Sequence, residues 1–145
     1  MKFYLLIILF LVFINGCSSE RNLCFNENCF LVEVADTESE RKIGLMYREY
    51  LDENQGMLFI FENEGFHGFW MKDTLIPLDI IWINSDKQVV FIRENVLPCK
   101  EPFEKSSYGE ECEVYKPGEK AKYVLEINSE KVRELGIKIG DKVEF

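Results

Sequence analysis

The sequence predicts an α+β fold, in which a mainly antiparallel sheet is curled into a barrel or sandwich and accompanied by two short helices. Three observations support this prediction. Apolar and polar residues alternate over several short segments, as is typical of strands with one buried face. Asn, Gly and Asp residues that favour turns separate these segments. Long helical segments do not alternate with the strands, which disfavours a parallel doubly wound sheet.

The first predicted elements are a hairpin and a helix. Residues Leu23 to Val34 alternate around an Asn-Glu-Asn turn, which predicts two antiparallel strands. Thr37 and Glu40 have the spacing of a capping box, so a helix is expected to begin there and to run towards Tyr50.

Five more strands and a second helix follow in the prediction. The strands are expected at Met57 to Phe61, Phe66 to Asp73, Leu78 to Ile83, Gln88 to Val96 and Lys122 to Asn128. Residues 62–65 are expected to form a loop. Ser129 is expected to cap a short helix that ends at Gly136, and a turn at Gly140 is expected to join two short C-terminal strands.

The first 16 residues have the composition of a targeting segment. Lys2 precedes an apolar run of twelve residues, Phe3 to Ile14, and Asn15-Gly16-Cys17 follows. This pattern resembles a lipoprotein signal peptide that is cleaved before Cys17. A secreted chain and an uncleaved anchor are alternatives, although a membrane-spanning helix needs roughly 20 apolar residues.

The sequence therefore predicts three regions: a signal peptide at 1–16, a lipidated cysteine with a polar tether at 17–23, and a single domain at 24–145. In this prediction the protein lies in the cell envelope, faces outside the cytoplasm, and is held at a membrane by acyl chains on Cys17.

The chain is acidic, with a formal net charge of −9 at pH 7, and loss of residues 1–16 would remove one positive charge, Lys2. An acidic body repels phosphates and anionic lipid head groups. Binding to nucleic acid and electrostatic docking on a membrane are therefore disfavoured.

Four cysteines remain besides Cys17, and an even number in an exported chain predicts disulfides. Of the three possible pairings, the economical one joins Cys24 to Cys29 across the hairpin and Cys99 to Cys112 around a polar loop. The second bridge would contribute roughly 3 kcal/mol. Redox and zinc sites are less favoured because Cys-x-x-Cys spacing is absent and the chain has one histidine. No metal or cofactor is expected.

Several blocks of the sequence occur together in one family. The blocks are Glu40-Arg41, Gly44 to Arg48, Gly56 to Phe61, Phe69 to Thr74, Ile76 to Ile80, Tyr123 to Glu126 and Gly140-Asp141. In this order, over about residues 30 to 145, they resemble the family catalogued as domain of unknown function 192. The resemblance implies a compact β-rich fold that is often exported, and it implies no established activity. Asp73 stands where many members have Asn.

Five residues are candidates for a binding surface. Trp70 and Lys72 are expected to share one face of the strand from Phe66 to Asp73, and an aromatic ring beside a charge is a frequent way of holding sugars and peptides. Glu126 is expected to face outward or towards a rim. The candidates are Arg48, Trp70, Lys72, Asp79 and Glu126.

Asp79 has two interpretations because it lies within an apolar run. It is either a buried carboxylate held by Lys72, Arg48 or strand-end amides, or it lines a pocket with Lys72. The first interpretation gives Asp79 a role in the fold, and the second gives it a role in a site.

The leading functional prediction is a non-catalytic module that binds an envelope ligand or partner, such as a saccharide or peptide, around Trp70, Lys72 and Asp79. The alternative is a small hydrolase that uses Asp79 and Glu126, which requires two carboxylates roughly 5 to 9.5 Å apart. A redox protein with a labile Cys99 to Cys112 pair is a third possibility. The single histidine, His67, lacks the sequence partners of a catalytic triad.

Overall fold

A computed structural model of the protein describes residues 19–99 and 112–145. The elements within these ranges are β1 (Glu20–Phe25), β2 (Asn28–Ala35), α1 (Glu38–Ile43), β3 (Gln55–Gly65), β4 (Leu78–Ile83), β5 (Val89–Val96), β6 (Ala121–Asn128) and α2 (Lys131–Leu135). The predicted signal peptide, Cys17 and Ser18 lie outside the described residues. The predicted tether is wrong in its second half, since residues 20–23 belong to β1. No helix within the described ranges has the length and apolar character needed to span a bilayer.

The six strands form one mixed sheet in the order β1-β2-β3-β6-β4-β5. The pair β2 and β3 is parallel, and every other neighbouring pair is antiparallel. The sheet is not closed, since β1 and β5 are its edges. The predicted α+β class with a mainly antiparallel sheet is confirmed.

The sheet has a hydrophobic core on each face. Successive residues of a strand point to opposite faces, so Leu125 lies in one core and Val124 in the other. The first core is covered by α2 and the C-terminal segment through Val132 and Val143. The second core is covered by the turns after α1 and by the segment 66–77, which contributes the buried Met71. This second face also contains the candidate site.

The N-terminal hairpin and the capping box agree with the sequence prediction. Cys24 pairs with Cys29 in the register of β1 and β2, and the two are joined by a disulfide. Cys99 and Cys112 form the second disulfide. These are the same pairs that the spacing favoured.

The helix α1 begins as predicted but ends earlier. Thr37 accepts a hydrogen bond from the backbone N–H of Glu40, and the Glu40 carboxylate accepts one from that of Thr37. The helix ends at Ile43, not near Tyr50, because the chain enters positive φ at Gly44 and again at Tyr47. The backbone N–H of Tyr47 then donates to the carbonyl of Asp73, which directs the chain towards the segment 66–77.

The predicted strand from Phe66 to Asp73 is wrong, and so is the predicted loop at residues 62–65, which continue β3. The segment 66–77 instead crosses the second face of the sheet as a loop with turns. Its apolar alternation arises because Met71 packs inward while Trp70 is 44 % exposed. The indole N–H of Trp82 donates to the carbonyl of His67 at 2.8 Å and holds the loop on the sheet.

The C-terminal region differs from the prediction in detail. Helix α2 has Glu130, not Ser129, as its N-terminal boundary residue, and it ends before Gly136 as expected. The first of the two predicted C-terminal strands, before Gly140, does not form. The second forms only isolated bridges, in which Lys142 pairs with Gln88 and Glu144 with Cys24.

Gly56 provides a test of the central strand packing. A Cβ atom there would lie 2.6 Å from the backbone oxygen of Glu126 and 2.9 Å from the Cγ2 of Ile127. We expect Gly56→Ala to lower the free energy of unfolding by about 1–3 kcal/mol in urea denaturation, because the strands β3 and β6 must separate locally. Gly118→Ala is the matched control, since a Cβ at Gly118 meets nothing within 4 Å. Equal stability of the two variants would contradict this packing.

Candidate functional site

A small recess, termed the Glu126 pocket, lies on the second face of the sheet between α1 and the loop 66–77. It has a volume of about 30 Å³, which is room for one or two water molecules. Glu126 and Phe59 reach it from the sheet. The other lining residues are Arg41, Lys42, Ile43, Gly44, Leu45 and Met46 from α1 and the following turn, and Phe69, Trp70, Lys72 and Thr74 from the loop.

Glu126 is the unusual member of this pocket because its side chain is buried and has no partner among residues 19–99 and 112–145. The residue is 5 % exposed, and it forms no hydrogen bond or ion pair with another described residue. Fully buried side-chain nitrogens and oxygens in the described part of the chain all have partners. Because the carboxyl oxygens of Glu126 have no such partner, they are not fully buried, and their small remaining exposure is towards the pocket that Glu126 lines.

Burial raises the pKa of Glu126 to about 8, because desolvation disfavours the charged carboxylate. At neutral pH the carboxyl is therefore mainly protonated. A neutral carboxyl has an O–H that donates a hydrogen bond and a carbonyl oxygen that accepts one. The carboxyl of Glu126 can therefore both donate a hydrogen bond to a small polar substituent in the pocket and accept one from it.

The rim of the pocket combines an exposed aromatic ring with cations. The Nζ of Lys72 lies 5.7 Å from the ring centre of Trp70, within the range of a cation–π contact. Within residues 19–99 and 112–145, neither Lys72 nor Lys42 forms an ion pair. The guanidinium of Arg41 is held in place, since it donates to the carbonyls of Ile60 and Asp36.

A wider groove, termed the aromatic cleft, opens beside the Glu126 pocket and has a volume of about 290 Å³. The two cavities share four lining residues, so they form one continuous depression. The Phe69 ring contacts the rings of Phe59 and Phe61 edge to face, at centroid distances of 4.8 and 6.3 Å. The cleft is lined by Glu38, Arg41, Lys42, Phe61, Gly68, Phe69 and Trp70.

The loop that supplies Trp70 and Lys72 is tied down at both ends. Phe69 and Tyr115 exchange two backbone hydrogen bonds of 2.9 and 2.7 Å. Beyond Lys72, the Tyr47 hydroxyl donates to the Asp73 carboxylate at 3.0 Å, which raises the pKa of Tyr47. Asp73 has a φ of 53°, a conformation that Asp and Asn tolerate better than most residues.

Asp79 lies elsewhere and is fully buried. Its two carboxylate oxygens accept hydrogen bonds from the backbone N–H groups of Asn95 at 2.7 Å and Val132 at 2.8 Å. The expected partners Lys72 and Arg48 do not contact it, whereas the alternative of backbone amides agrees with the structure. Asp79 therefore ties the end of β5 to the start of α2.

The register of the sheet separates Asp79 from Glu126. On the adjacent strands β4 and β6, Asp79 is opposite Ile127, and Glu126 is opposite Ile80. Paired residues share a face, so the two carboxylates point to opposite sides of the sheet. The structure does not bring them to a common cleft, and it does not place Asp79 in the surface formed by Trp70 and Lys72.

Arg48 also lies outside the Glu126 pocket. Its guanidinium donates two hydrogen bonds to the carboxylate of Glu33, an arrangement that raises the pKa of Arg48. In the sheet register Met57 lies between Glu33 and Glu126. Of the five predicted residues, the structure brings together Trp70, Lys72 and Glu126.

The contribution of α1 to the site was not predicted from the sequence. Arg41 and Lys42 line both cavities, and Phe69 and Thr74 complete the wall. Arg41 and Phe69 belong to the blocks shared with the family, but their proximity depends on how the loop 66–77 crosses the sheet. His67 stacks on Phe61 at a centroid distance of 3.6 Å and stays outside the pocket.

Comparisons with known proteins show which family the chain belongs to. The family model DUF192, described as an uncharacterized ACR, matches residues 22–145. A UPF0127 protein of Pyrococcus abyssi is 33 % identical over 121 residues, which cover 79 % of this chain and 85 % of that protein.

Two solved structures have the same fold. A Sinorhizobium meliloti protein, designated a "putative transcription regulator", has a TM-score of 0.75 and 32 % identity, with coverage of 88 % of this chain and 94 % of its own. A protein of unknown function from Novosphingobium aromaticivorans has a TM-score of 0.71 and 34 % identity, with coverage of 88 % and 85 %. The chain therefore belongs to the uncharacterized DUF192 (UPF0127) family.

Proposed function

We propose that the protein is a non-catalytic binding module that is held outside the cytoplasm by a lipid on Cys17. Its binding site is the Glu126 pocket together with the aromatic cleft. The observation that carries this proposal is the buried carboxyl of Glu126, which has no partner in the described part of the chain and lies in one pocket with Lys72 and the exposed Trp70. Burial of an unpaired polar group costs free energy, and such costs are concentrated at functional sites.

The dimensions of the depression favour a small ligand or the end of a larger one. The aromatic cleft, at about 290 Å³, is near the lower limit of small-molecule sites, which are roughly 300–1,000 Å³. The Glu126 pocket admits only a substituent of one or two heavy atoms. A saccharide unit or a peptide end fits this combination of an aromatic wall, a cationic rim and a polar floor.

The hydrolase alternative receives no support from the site geometry. Acid and base catalysis by two carboxylates requires both to reach one bond. Asp79 and Glu126 face opposite sides of the sheet, and both oxygens of Asp79 are occupied by backbone N–H groups. Binding without catalysis is therefore the function that the geometry supports best.

Calorimetric titration of the full-length chain in detergent with saccharide and dipeptide fragments tests this site. For any fragment that binds, we expect Trp70→Ala to lower the affinity at least tenfold, because the substitution removes the aromatic wall of the cleft. Tyr50→Ala is the control, since Tyr50 is an exposed aromatic residue that lines neither cavity. Equal affinity of the two variants would contradict the proposed site.

Membrane attachment is tested separately by Cys17→Ser. We expect this variant to move from the membrane fraction to the soluble fraction, since two or more acyl chains on Cys17 would provide the anchor. Ser18→Ala is the control and should still sediment. The two disulfides support an oxidising compartment. Continued sedimentation of Cys17→Ser would refute the lipid anchor.

A further inference from the structure

The chemistry of the depression indicates which ligand class it takes, an inference that rests on the proposed binding function. We propose that the site binds an acidic sugar unit. The sugar ring lies in the aromatic cleft against Trp70, one hydroxyl enters the Glu126 pocket, and the carboxylate of the sugar faces Lys72 and Lys42.

The shape of the depression supports a ring with a small substituent. The cleft is about ten times larger than the recess, and Arg41, Lys42, Phe69 and Trp70 line both. A hydroxyl is small enough for the recess, where it can replace water and exchange hydrogen bonds with the Glu126 carboxyl. The flat face of the ring would stack on the exposed indole of Trp70. A bulky side chain of a peptide does not enter a recess of about 30 Å³.

The charges around the depression favour an anion. The chain as a whole is strongly acidic, yet Arg41, Lys42 and Lys72 line the depression, and Glu38 is the one acid besides Glu126 among the lining residues. Arg41 is held by two backbone carbonyls, whereas Lys42 and Lys72 form no ion pair within the described ranges. These two lysines are therefore available to a ligand carboxylate.

Protonation of Glu126 determines whether its carboxyl can donate a hydrogen bond to the sugar hydroxyl and whether it repels the nearby sugar carboxylate. The charged groups around it are Arg41 and Lys42 from α1, Lys72 from the loop, the Glu33–Arg48 pair beyond Met57 and Arg93 beyond Ile80. Among these groups, Glu126 is the one whose pKa burial raises into the range between neutral and alkaline pH. Because burial raises the pKa of Glu126 to about 8, binding of an acidic sugar should weaken above that pH.

The experiment compares three sugars of nearly equal shape: glucuronate, glucose and glucosamine. Each is titrated into the full-length chain in detergent at pH 6.5 and pH 9.5. We expect glucuronate to bind at least tenfold tighter than glucose at pH 6.5 and to lose about 30-fold in affinity by pH 9.5, since affinity falls tenfold per pH unit above the pKa.

Two variants identify the responsible groups. Glu126→Gln should keep the binding of glucuronate and reduce the pH effect to less than threefold, because an amide preserves the donor and acceptor of the protonated carboxyl. Lys72→Gln should remove most of the preference for glucuronate over glucose. Both variants retain side-chain size, so a common loss of folding is not expected.

Each other outcome overturns the assignment. If glucose binds as tightly as glucuronate, an acidic ligand is excluded and the binding site stays in place. The same holds if glucosamine binds more tightly than glucuronate and this preference is lost in Glu126→Gln. If no sugar binds but a peptide fragment binds in a manner that depends on Trp70, the sugar assignment fails and the proposed function stands. If neither class binds, both fail.

Discussion

Replacement of Asp79 by alanine is expected to lower the free energy of unfolding by about 4 kcal/mol. The carboxylate is fully buried and accepts hydrogen bonds from the backbone N–H groups of Asn95 and Val132. Each orphaned buried donor costs roughly 1–3 kcal/mol, and loss of the side chain leaves two of them together with a cavity. Urea denaturation measures the change.

The controls for Asp79 separate burial from charge. Asp79→Asn keeps the shape but turns an NH₂ group towards one of the two donors, so an intermediate loss is expected. Asp86→Ala removes an exposed acid and should change stability by less than about 0.5 kcal/mol. If Asp79→Ala were as stable as Asp86→Ala, the role of Asp79 in joining β5 to α2 would be wrong.

The second large effect is a dependence of stability on pH that arises from Glu126. The pKa of Glu126 is about 8 in the folded protein, and the ordinary value of 4.5 applies to the unfolded chain. Between these values the folded state holds a proton that the unfolded state releases, so the free energy of unfolding falls as the pH rises from about 5 to about 8. The full shift corresponds to about 5 kcal/mol.

Glu126→Gln removes this titration and is therefore the comparison that isolates it. We expect the difference in stability between the variant and the parent chain to grow in favour of the variant as the pH rises from 5 to 8. The exposed acids Glu40 and Glu64 have lowered pKa values, because of hydrogen bonds with Thr37 and Ser85, and they titrate below this window. Parallel stability curves for the two proteins would contradict an unpartnered Glu126.

Local signals in the sequence predicted the local parts of the fold. The hairpin, the capping box and the strand from Leu78 to Ile83 depend on residues that are close in the chain, so turn chemistry and alternation were sufficient. The segment 66–77 has the same alternation for another reason. This segment crosses the face of the sheet and points alternate residues into the core. The resulting two-residue alternation in the sequence is the same as that of a strand, so the pattern cannot distinguish the two.

The site depended on contacts that are distant in sequence. Trp70 and Lys72 were predicted to act together, and they do line one pocket, although the loop and not a strand brings them there. Glu126 was expected to face outward or towards a rim, but α1 and the loop 66–77 cover it. Ile80 is opposite Glu126 in the sheet and shares its face, so the preceding residue, Asp79, points to the other face. A shift of the register by one residue would reverse this assignment.

The partners of Asp79 could not be predicted from spacing. Asn95 lies 16 residues further along the chain and Val132 lies 53 residues further, and both contribute backbone groups that any residue possesses. An acid in an apolar run indicates that a partner exists. It does not indicate whether the partner is a side chain, a backbone amide or a ligand.

The most direct test is the titration of the Glu126 carboxyl carbon by NMR in the ligand-free protein, with Glu126→Gln used to assign the signal. An unpartnered carboxyl at the floor of a water-sized pocket should titrate with a midpoint of about 8. A midpoint near the ordinary value of 4.5 would show that the carboxyl is solvated or paired in solution. That result would contradict the pocket on which the proposed binding function depends.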